Sequence, residues 1–384
     1  MKILVAGDFC QKNRVDSFIR SKSFDLLFDD VKKIVKSQDY SIVNLECPIV
    51  IDDKHRRKIH KLGPVLFGTK EIIDAVNYLG FKCCTLANNH ILDQGGVCCV
   101  DTIKELKENG IDSVGAGSNL DEASSILYKS INGETLAIIN CTENEFSIAT
   151  DKGAGANPLN SIKLYYSIKE ARKFSSYVLV IIHGGHENYQ YPSLRMVELY
   201  RYLIDVGADA VINGHQHCFS GYEVYNNKPI IYGLGNFCFD YPNKVNSPWN
   251  KGYMVSLELT NGQTKLHTLY PYEQCNGTPG ITLLKDRTNF DVEIAEINNV
   301  IADEKRLKEQ INTYYQESSF DIMNMFLSPS NRYLNKLFRM GIIPSFMSTQ
   351  RLSMIYNYIN CEAHRDKVLY AFDAFFKNKE NYDL

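Results

Sequence analysis

Short apolar runs alternate with segments of helical period through the first two thirds of the chain. The runs ILVAG, YSIVNLE, KCCTLANN, IDSVGA, TLAIINC, YVLVIIHGG and DAVING have the length and β-branched content of buried strands. Between them FDLLFDDVKKIVKS, KEIIDAVNYLG, GGVCCVDTIKELKENG, SIKLYYSIKEARKFSS and SLRMVELYRYLIDVG carry apolar residues at helical spacing. Gly80, Gly110 and Gly207 stand where left-handed caps would close three of these helices. Such alternation predicts a layered α/β domain.

After Gly214 the pattern changes to the closely spaced runs SGYEVY, KPIIYGLGNF, YMVSLELT and TKLHTLYPY, expected as antiparallel additions to the sheet. From about residue 285 the chain turns helical. There EIAEINNVIADEKRLKEQINTYYQES reads as one amphipathic helix, and further helices are expected around SNRYLNKLFRM and TQRLSMIYNYINCEAHRDKVLYAFDAFFKN. The division is a domain over residues 1–280 and a helical extension over 285–384. The outer face of the long helix suits solvent, or a protein partner.

Composition narrows the class. The net charge of −3 over 384 residues leaves no basic face for nucleic acid. The eleven cysteines sit on or beside apolar runs, as reduced and buried thiols do in a reducing compartment. MKILVAGD reads as a strand from residue 2, with no signal peptide before it, and no run approaches the roughly 20 apolar residues of a membrane span. A soluble, cytoplasmic protein is expected, with docking onto a membrane-bound partner left open.

Polar residues collect at strand ends, where parallel α/β sheets bind ligands. Asp8 ends the first strand and Glu46 the second. Asn88, Asn89 and His90 follow CCTLA, with Asp93 close behind. His183 ends VLVIIHGGHE, with Glu187 nearby, and His215 and His217 follow DAVING. One such tip is most often a helix cap or a loop. Five tips in one sheet, all oxygen or imidazole donors, point to zinc, manganese or iron rather than calcium. Satisfied polar loops are the alternative. Strand alternation would aim His215 and His217 at one centre.

GD, NLE, ANNHILDQG, HGGHE and GADAVINGHQH…KPIIYGLGNFCFD, in this order over residues 1–245, resemble the CapA-type family of poly-γ-glutamate capsule biosynthesis proteins. That family belongs to the calcineurin-like metallophosphoesterase superfamily. The resemblance implies a four-layer α/β/β/α sandwich with two divalent metal ions (manganese, zinc or iron). Asp8 and His217 would hold the first metal, Glu46 would bridge both, and Asn89, His183 and His215 would hold the second. His90 would act on the leaving group, oriented by Asp93, and Glu187 would face the pocket. Cys10 stands where many relatives have histidine, as a thiolate ligand or an inert buried thiol. Gly184 and Gly185 replace an aromatic wall, and Asn188 and Gln216 replace a common tyrosine and proline.

The loop IDDKHRRKIHKLG places His55, Arg56, Arg57, Lys58, His60 and Lys61 after Glu46. Arg56, Arg57 and Lys58 would bind an anionic substrate, a phosphoester or a polyglutamate-like polymer; a solvated charged loop is the alternative. Asn236, in a turn whose glycines need positive φ or close approach, would pin the loop beside His215. The function that results is a metal-dependent, phosphoesterase-like hydrolase linked to capsule polymer biosynthesis, associated with membrane-bound capsule machinery. The alternative is a non-catalytic capsule-assembly component that binds an anionic polymer.

Overall fold

Strands Lys2–Cys10, Tyr40–Leu45 and Tyr177–His183 are buried almost along their whole length, which is why they read as continuous apolar runs rather than alternating ones. A computed structural model of the chain describes residues 1–384 except 60, 62, 328, 330, 346, 361–363, 365–367, 370, 371 and 373–384. These residues form two units, Met1–Lys308 and Glu309–Leu384.

The first unit holds two large sheets. One runs Ile281–Leu283, Gln263–Gln274, Lys251–Thr260, Lys2–Cys10, Tyr40–Leu45, Cys83–Thr85, Asp112–Val114, with Asn236–Phe239 also paired to Lys2–Cys10. The other runs Tyr222–Tyr225, Lys228–Ile231, Ala210–Gly214, Tyr177–His183, Glu134–Thr142, Leu127–Ile131. The single sheet expected from the strand tips is therefore two. Both have parallel centres, and burial on two faces leaves no pattern telling one sheet's strands from the other's.

The inner faces meet. Ile3, Leu257 and Leu259 from one sheet and Leu136, Leu179 and Ala210 from the other line one narrow internal space. Helices Arg14–Arg20, Asp25–Lys36, Glu71–Leu79 and Gly96–Glu108 bury Val15, Phe28, Val76 and Cys99 in the core of the first sheet. Helices Ser161–Phe174 and Leu194–Val206 pack on the second. The layers are α/β/β/α. Each fully buried Val, Leu, Ile or Phe contributes about 1.5–3 kcal/mol of transfer free energy.

The helices predicted from apolar period form, and Gly80, Gly110 and Gly207 follow three of them with positive φ. Two expectations change. Lys228–Ile231 is antiparallel to Tyr222–Tyr225 but parallel to Ala210–Gly214, and Asn236–Phe239 is parallel to Lys2–Cys10; Lys251–Thr260, Gln263–Gln274 and Ile281–Leu283 pair antiparallel, as expected. The long amphipathic helix divides at Asp303 into Thr288–Ala302 and Glu304–Leu327. There Asp303 leaves helical geometry and its carboxylate accepts from Lys305 N and Arg306 N, as an N-cap does. The second unit contains the later turns of Glu304–Leu327 and the helices Arg332–Arg339 and Thr349–Asn360. The end of the expected tail helix lies outside the described residues.

Strand register sets up the site. Asp8 pairs with Asn44 and Asn44 with Thr85, while His183 pairs with Gly214. Asn140, 2% exposed, ties the two halves: its Oδ1 accepts from Ala87 N at 2.8 Å and its Nδ2 donates to Ile181 O at 3.0 Å.

Candidate metal centre

The strand Ala210–Gly214 stops before the histidines begin. His215 has φ +90° and His217 φ +57°, so a left-handed turn, not strand alternation, sets their direction. For side-chain-bearing residues such backbone costs of order 1–3 kcal/mol each and concentrates at functional sites. The turn is over-determined by its partners. His215 N donates to Asp8 Oδ2 at 3.2 Å, Asn213 Nδ2 to Gln216 Oε1 at 3.1 Å, and Asn188 N to Gln216 O at 2.7 Å. A Cβ on Gly214 would come within 3.1 Å of Asp8 Oδ1, so glycine admits the close approach of the two sheets here.

Six predicted ligands converge. His183 Nε2 lies 3.1 Å from His215 Nδ1, 3.2 Å from Asn89 Oδ1 and 3.5 Å from Glu46 Oε1. His183 Nδ1 is 3.8 Å from Asp8 Oδ1. His217 Nδ1 is 3.7 Å from Asp8 Oδ2, and its Nε2 is 3.9 Å from Glu46 Oε1. Two groups able to hold a cation result, Glu46 with His183 and His215, and Glu46 with Asp8 and His217. Glu46 is common to both.

The electrostatics favour a cation there. Glu46 is fully buried, and neither carboxylate oxygen has a hydrogen-bond partner among the described residues. Burial first, then the charge of Glu187, pushes its pKa well up. Burial and the Glu46 charge raise Asp8 to about 7, against the bonds it accepts from Asn44 and His215. Burial lowers His183 to about 4 and His215 to about 3, and lowers His217 as well. Neutral imidazoles around uncompensated buried carboxylates are the donor set of a divalent transition metal.

His90 and Asp93 stand beside this nest. Asp93 Oδ2 is 2.6 Å from His90 Nδ1 and accepts from Leu66 N at 2.6 Å, while Oδ1 accepts from Lys61 Nζ at 2.6 Å. His90 N donates to Asn88 Oδ1 at 3.1 Å, and burial lowers the His90 pKa. Glu187 is exposed, and its pKa is raised by partial burial and by Glu145.

The basic loop divides. Arg56 donates to Gln94 and Asp53 and stacks on Phe67; Arg57 donates to the carbonyls of Lys54 and Arg56. Lys58 is exposed, and His55 pairs with Asp101. His60 lies outside the described residues. Among the described residues of the loop, Lys61 is the cation that reaches the nest, 2% exposed and 3.0 Å from His90 Nδ1.

Glu145 and Asn44 were not singled out from the sequence. Glu145 Oε2 accepts from Asn89 Nδ2 at 2.8 Å, turning Asn89 Oδ1 toward His183, and Glu145 Oε1 is 3.8 Å from His215 Nε2. Asn44 Nδ2 donates to Asp8 Oδ1 at 2.8 Å; its position inside NLE was the available signal. Asn236 pins the turn beside His215, as expected, and does so through His217: its Oδ1 is 2.9 Å from His217 Nδ1, and its Nδ2 donates to His217 O and Trp249 O. The nearby glycines act as expected, with Gly235 at φ +75° against Lys251 O. Trp249 supplies an aromatic wall, its ring 4.5 Å from that of His217. Cys10 is fully buried, pushed well up by burial and by Cys47, and stands outside both ligand groups.

Residues 2–241 match the family model described as "Bacterial capsule synthesis protein PGA_cap". The chain belongs to this family. "Capsule biosynthesis protein CapA" of Bacillus anthracis is 30% identical, covering 73% of this chain and 69% of that protein. "PGA biosynthesis protein CapA" of Bacillus subtilis is 32% identical over 61% of this chain and 62% of its own length, so under two thirds of that relative is matched. Among solved structures, the calcineurin-like phosphoesterase YfkN from Bacillus subtilis aligns with a TM-score of 0.38 and 14% identity over 83% of this chain and 97% of that one. The layer order rests on the chain's own two sheets. The PGA_cap match ends at residue 241, so it takes in all six predicted ligands, His90 and Asp93.

Proposed function

We propose that the chain is a metal-dependent, phosphoesterase-like hydrolase acting in capsule polymer biosynthesis. The observation that carries this reading is Glu46, a buried carboxylate with no hydrogen-bond partner among the described residues, shared by two candidate ligand groups. Asp8, Glu46 and His217 would hold one divalent cation; Glu46, Asn89, His183 and His215 would hold a second. When bound, such cations polarise a phosphoryl or acyl oxygen and lower the pKa of water.

The chain's own residues do the rest. Asp93 keeps the Nδ1 proton of His90 and leaves Nε2 for proton exchange at the leaving group. Lys61 fixes Asp93 and offsets part of the surrounding negative charge. Glu145 orients Asn89, and Asn236 holds His217 so that Nε2 faces Glu46. Arg56, Arg57 and Lys58 sit on the loop outside this nest, where they would meet a longer anionic substrate rather than its reacting end.

Purified protein loaded with manganese or zinc should hydrolyse a phosphoester or a γ-glutamyl substrate, and His90→Ala should abolish turnover while metal binding and folding persist. Turnover of none of these at full metal occupancy would defeat the enzymatic reading. The non-catalytic reading, an anionic-polymer cradle, meets a rim that carries Glu145 and Glu187. It requires poly-γ-glutamate binding that survives chelation.

A further inference from the structure

From Ile322 to Cys361 the sequence contains no aspartate or glutamate, while Arg332, Lys336, Arg339 and Arg351 fall within it. Within the second unit, beyond the end of Glu304–Leu327, the described residues of this stretch include the helices Arg332–Arg339 and Thr349–Asn360. Asn331 caps Arg332–Arg339, its side chain accepting from Tyr333 N and Leu334 N. Gly341, at φ +71°, closes that helix, with Ile342 N returning to Leu337 O. Ser348 then bonds Arg351 N at the start of Thr349–Asn360.

These helices leave much of their apolar surface in solvent, with Leu337, Phe338, Leu352 and Ile355 half-buried. The first buries none of its residues, and Tyr333 is 79% exposed, Met340 62%, Ile342 60% and Tyr356 70%. Arg332, Lys336 and Arg339 recur at one helical stripe, and Tyr333, Leu334, Leu337 and Phe338 at the other. A cationic stripe beside an aromatic and aliphatic one, on helices far too short to cross a bilayer, is the pattern of an element lying in a lipid headgroup layer. The tyrosines present an apolar ring and a polar tip, and the arginines and lysine have stems long enough to reach phosphate while the apolar stripe is immersed.

We propose that this segment docks the protein on an anionic bilayer surface. Charge decides between the possible occupants. A second copy would set four cations against four with no acid in either stretch, whereas an anionic headgroup layer complements them. The exposed apolar residues also continue past the first helix into the turn at Met340–Ile342 and on to Met354 and Tyr356. A plane accommodates that spread; a groove built for one helix with anchors a turn apart does not.

The test is co-sedimentation of the full chain with vesicles of mixed phosphatidylcholine and phosphatidylglycerol, beside vesicles of phosphatidylcholine alone. The proposal expects at least about tenfold stronger binding to the anionic vesicles, weakened by raised salt. R332E/K336E should lower that binding about tenfold or more, and Tyr333→Ser/Leu334→Ser should lower it with the charge unchanged. Metal-dependent thermal stabilisation should be the same in all three proteins, which shows that the variants fold. Equal binding to both vesicle types, retention of binding in R332E/K336E, or no vesicle binding at all, even with retention on polyglutamate resin, would overturn it.

Discussion

The Lys61 ammonium lies 2.6 Å from Asp93 Oδ1, with both side chains almost fully withdrawn from water. The same carboxylate bonds His90 and the backbone of Leu66. One group thereby joins the basic loop to the imidazole that the proposed chemistry uses, and Lys61→Met removes its counter-charge. Breaking one side of a buried pair costs about 3–5 kcal/mol, and the remaining two bonds to Asp93 place the expected loss at the lower end. Urea unfolding under chelation measures it. With Asp93→Asn as the second arm of a double-mutant cycle, the two substitutions should be strongly non-additive.

Glu46→Gln separates stability from binding. The amide removes a buried, unbonded carboxylate, so the chelated variant should melt several degrees above the parent. Its stabilisation by manganese or zinc should nearly vanish, because both ligand groups lose their common member. A variant that melts lower in chelator yet keeps the metal response would contradict the assignment.

The pH dependence of the metal-free chain follows from the buried groups. His183 titrates at about 4 and His215 at about 3, whereas the unfolded chain takes up those protons near 6.5. Below 6.5 the unfolded state therefore binds more protons, and stability falls with pH until the folded values are passed. His217, also lowered, adds to this. Asp8, raised to about 7, and Glu46, also raised, act in the opposite sense, since the native state keeps protons that the unfolded chain has released. His90 and His186, also lowered, join the imidazoles, and Glu187, also raised, joins the carboxyls. Five imidazoles outweigh three carboxyls, so the melting temperature in chelator should fall from pH 6.5 to 5. In H183N/H215N three lowered imidazoles (His90, His186 and His217) face three raised carboxyls, so the fall should become much shallower.

Asn236→Ala tests the support of His217. The loss of its acceptor should lower metal affinity about 10–100-fold, the usual effect of removing a ligand's hydrogen-bond partner. Its two bonds to backbone carbonyls also go, which should cost about 2 kcal/mol. Titration calorimetry with zinc and denaturant unfolding read the two effects separately.

Much of the site could be read along the chain because its ligands interrupt long apolar runs. Glu46, Asn89, His183, His215 and His217 stand at or just past strand ends, whereas Asp8, expected to end the first strand, lies inside it at an irregularity of register, with Phe9 and Cys10 still paired. Glu145 escaped notice because it follows a strand end by three residues in an exposed loop, where a glutamate is ordinary. Lys61 was one cation among several, and nothing in IDDKHRRKIHKLG marks which side chain turns inward; the buried Asp93 selects it. The break at Asp303 was legible after all, as a capping aspartate inside a long helical pattern.

Local chemistry along the chain determined where strands and helices form, which residues end them, and that the donors are carboxylates, amides and imidazoles. Those outcomes follow from periodicity and capping, which act over a few residues. Only the tertiary structure decided which strands share each sheet, that a left-handed turn aims His215 and His217, and that Lys61 rather than Arg56 enters the nest. These depend on contacts between segments far apart in the chain, and their energies arise only when burial removes water from charges that no local pattern pairs.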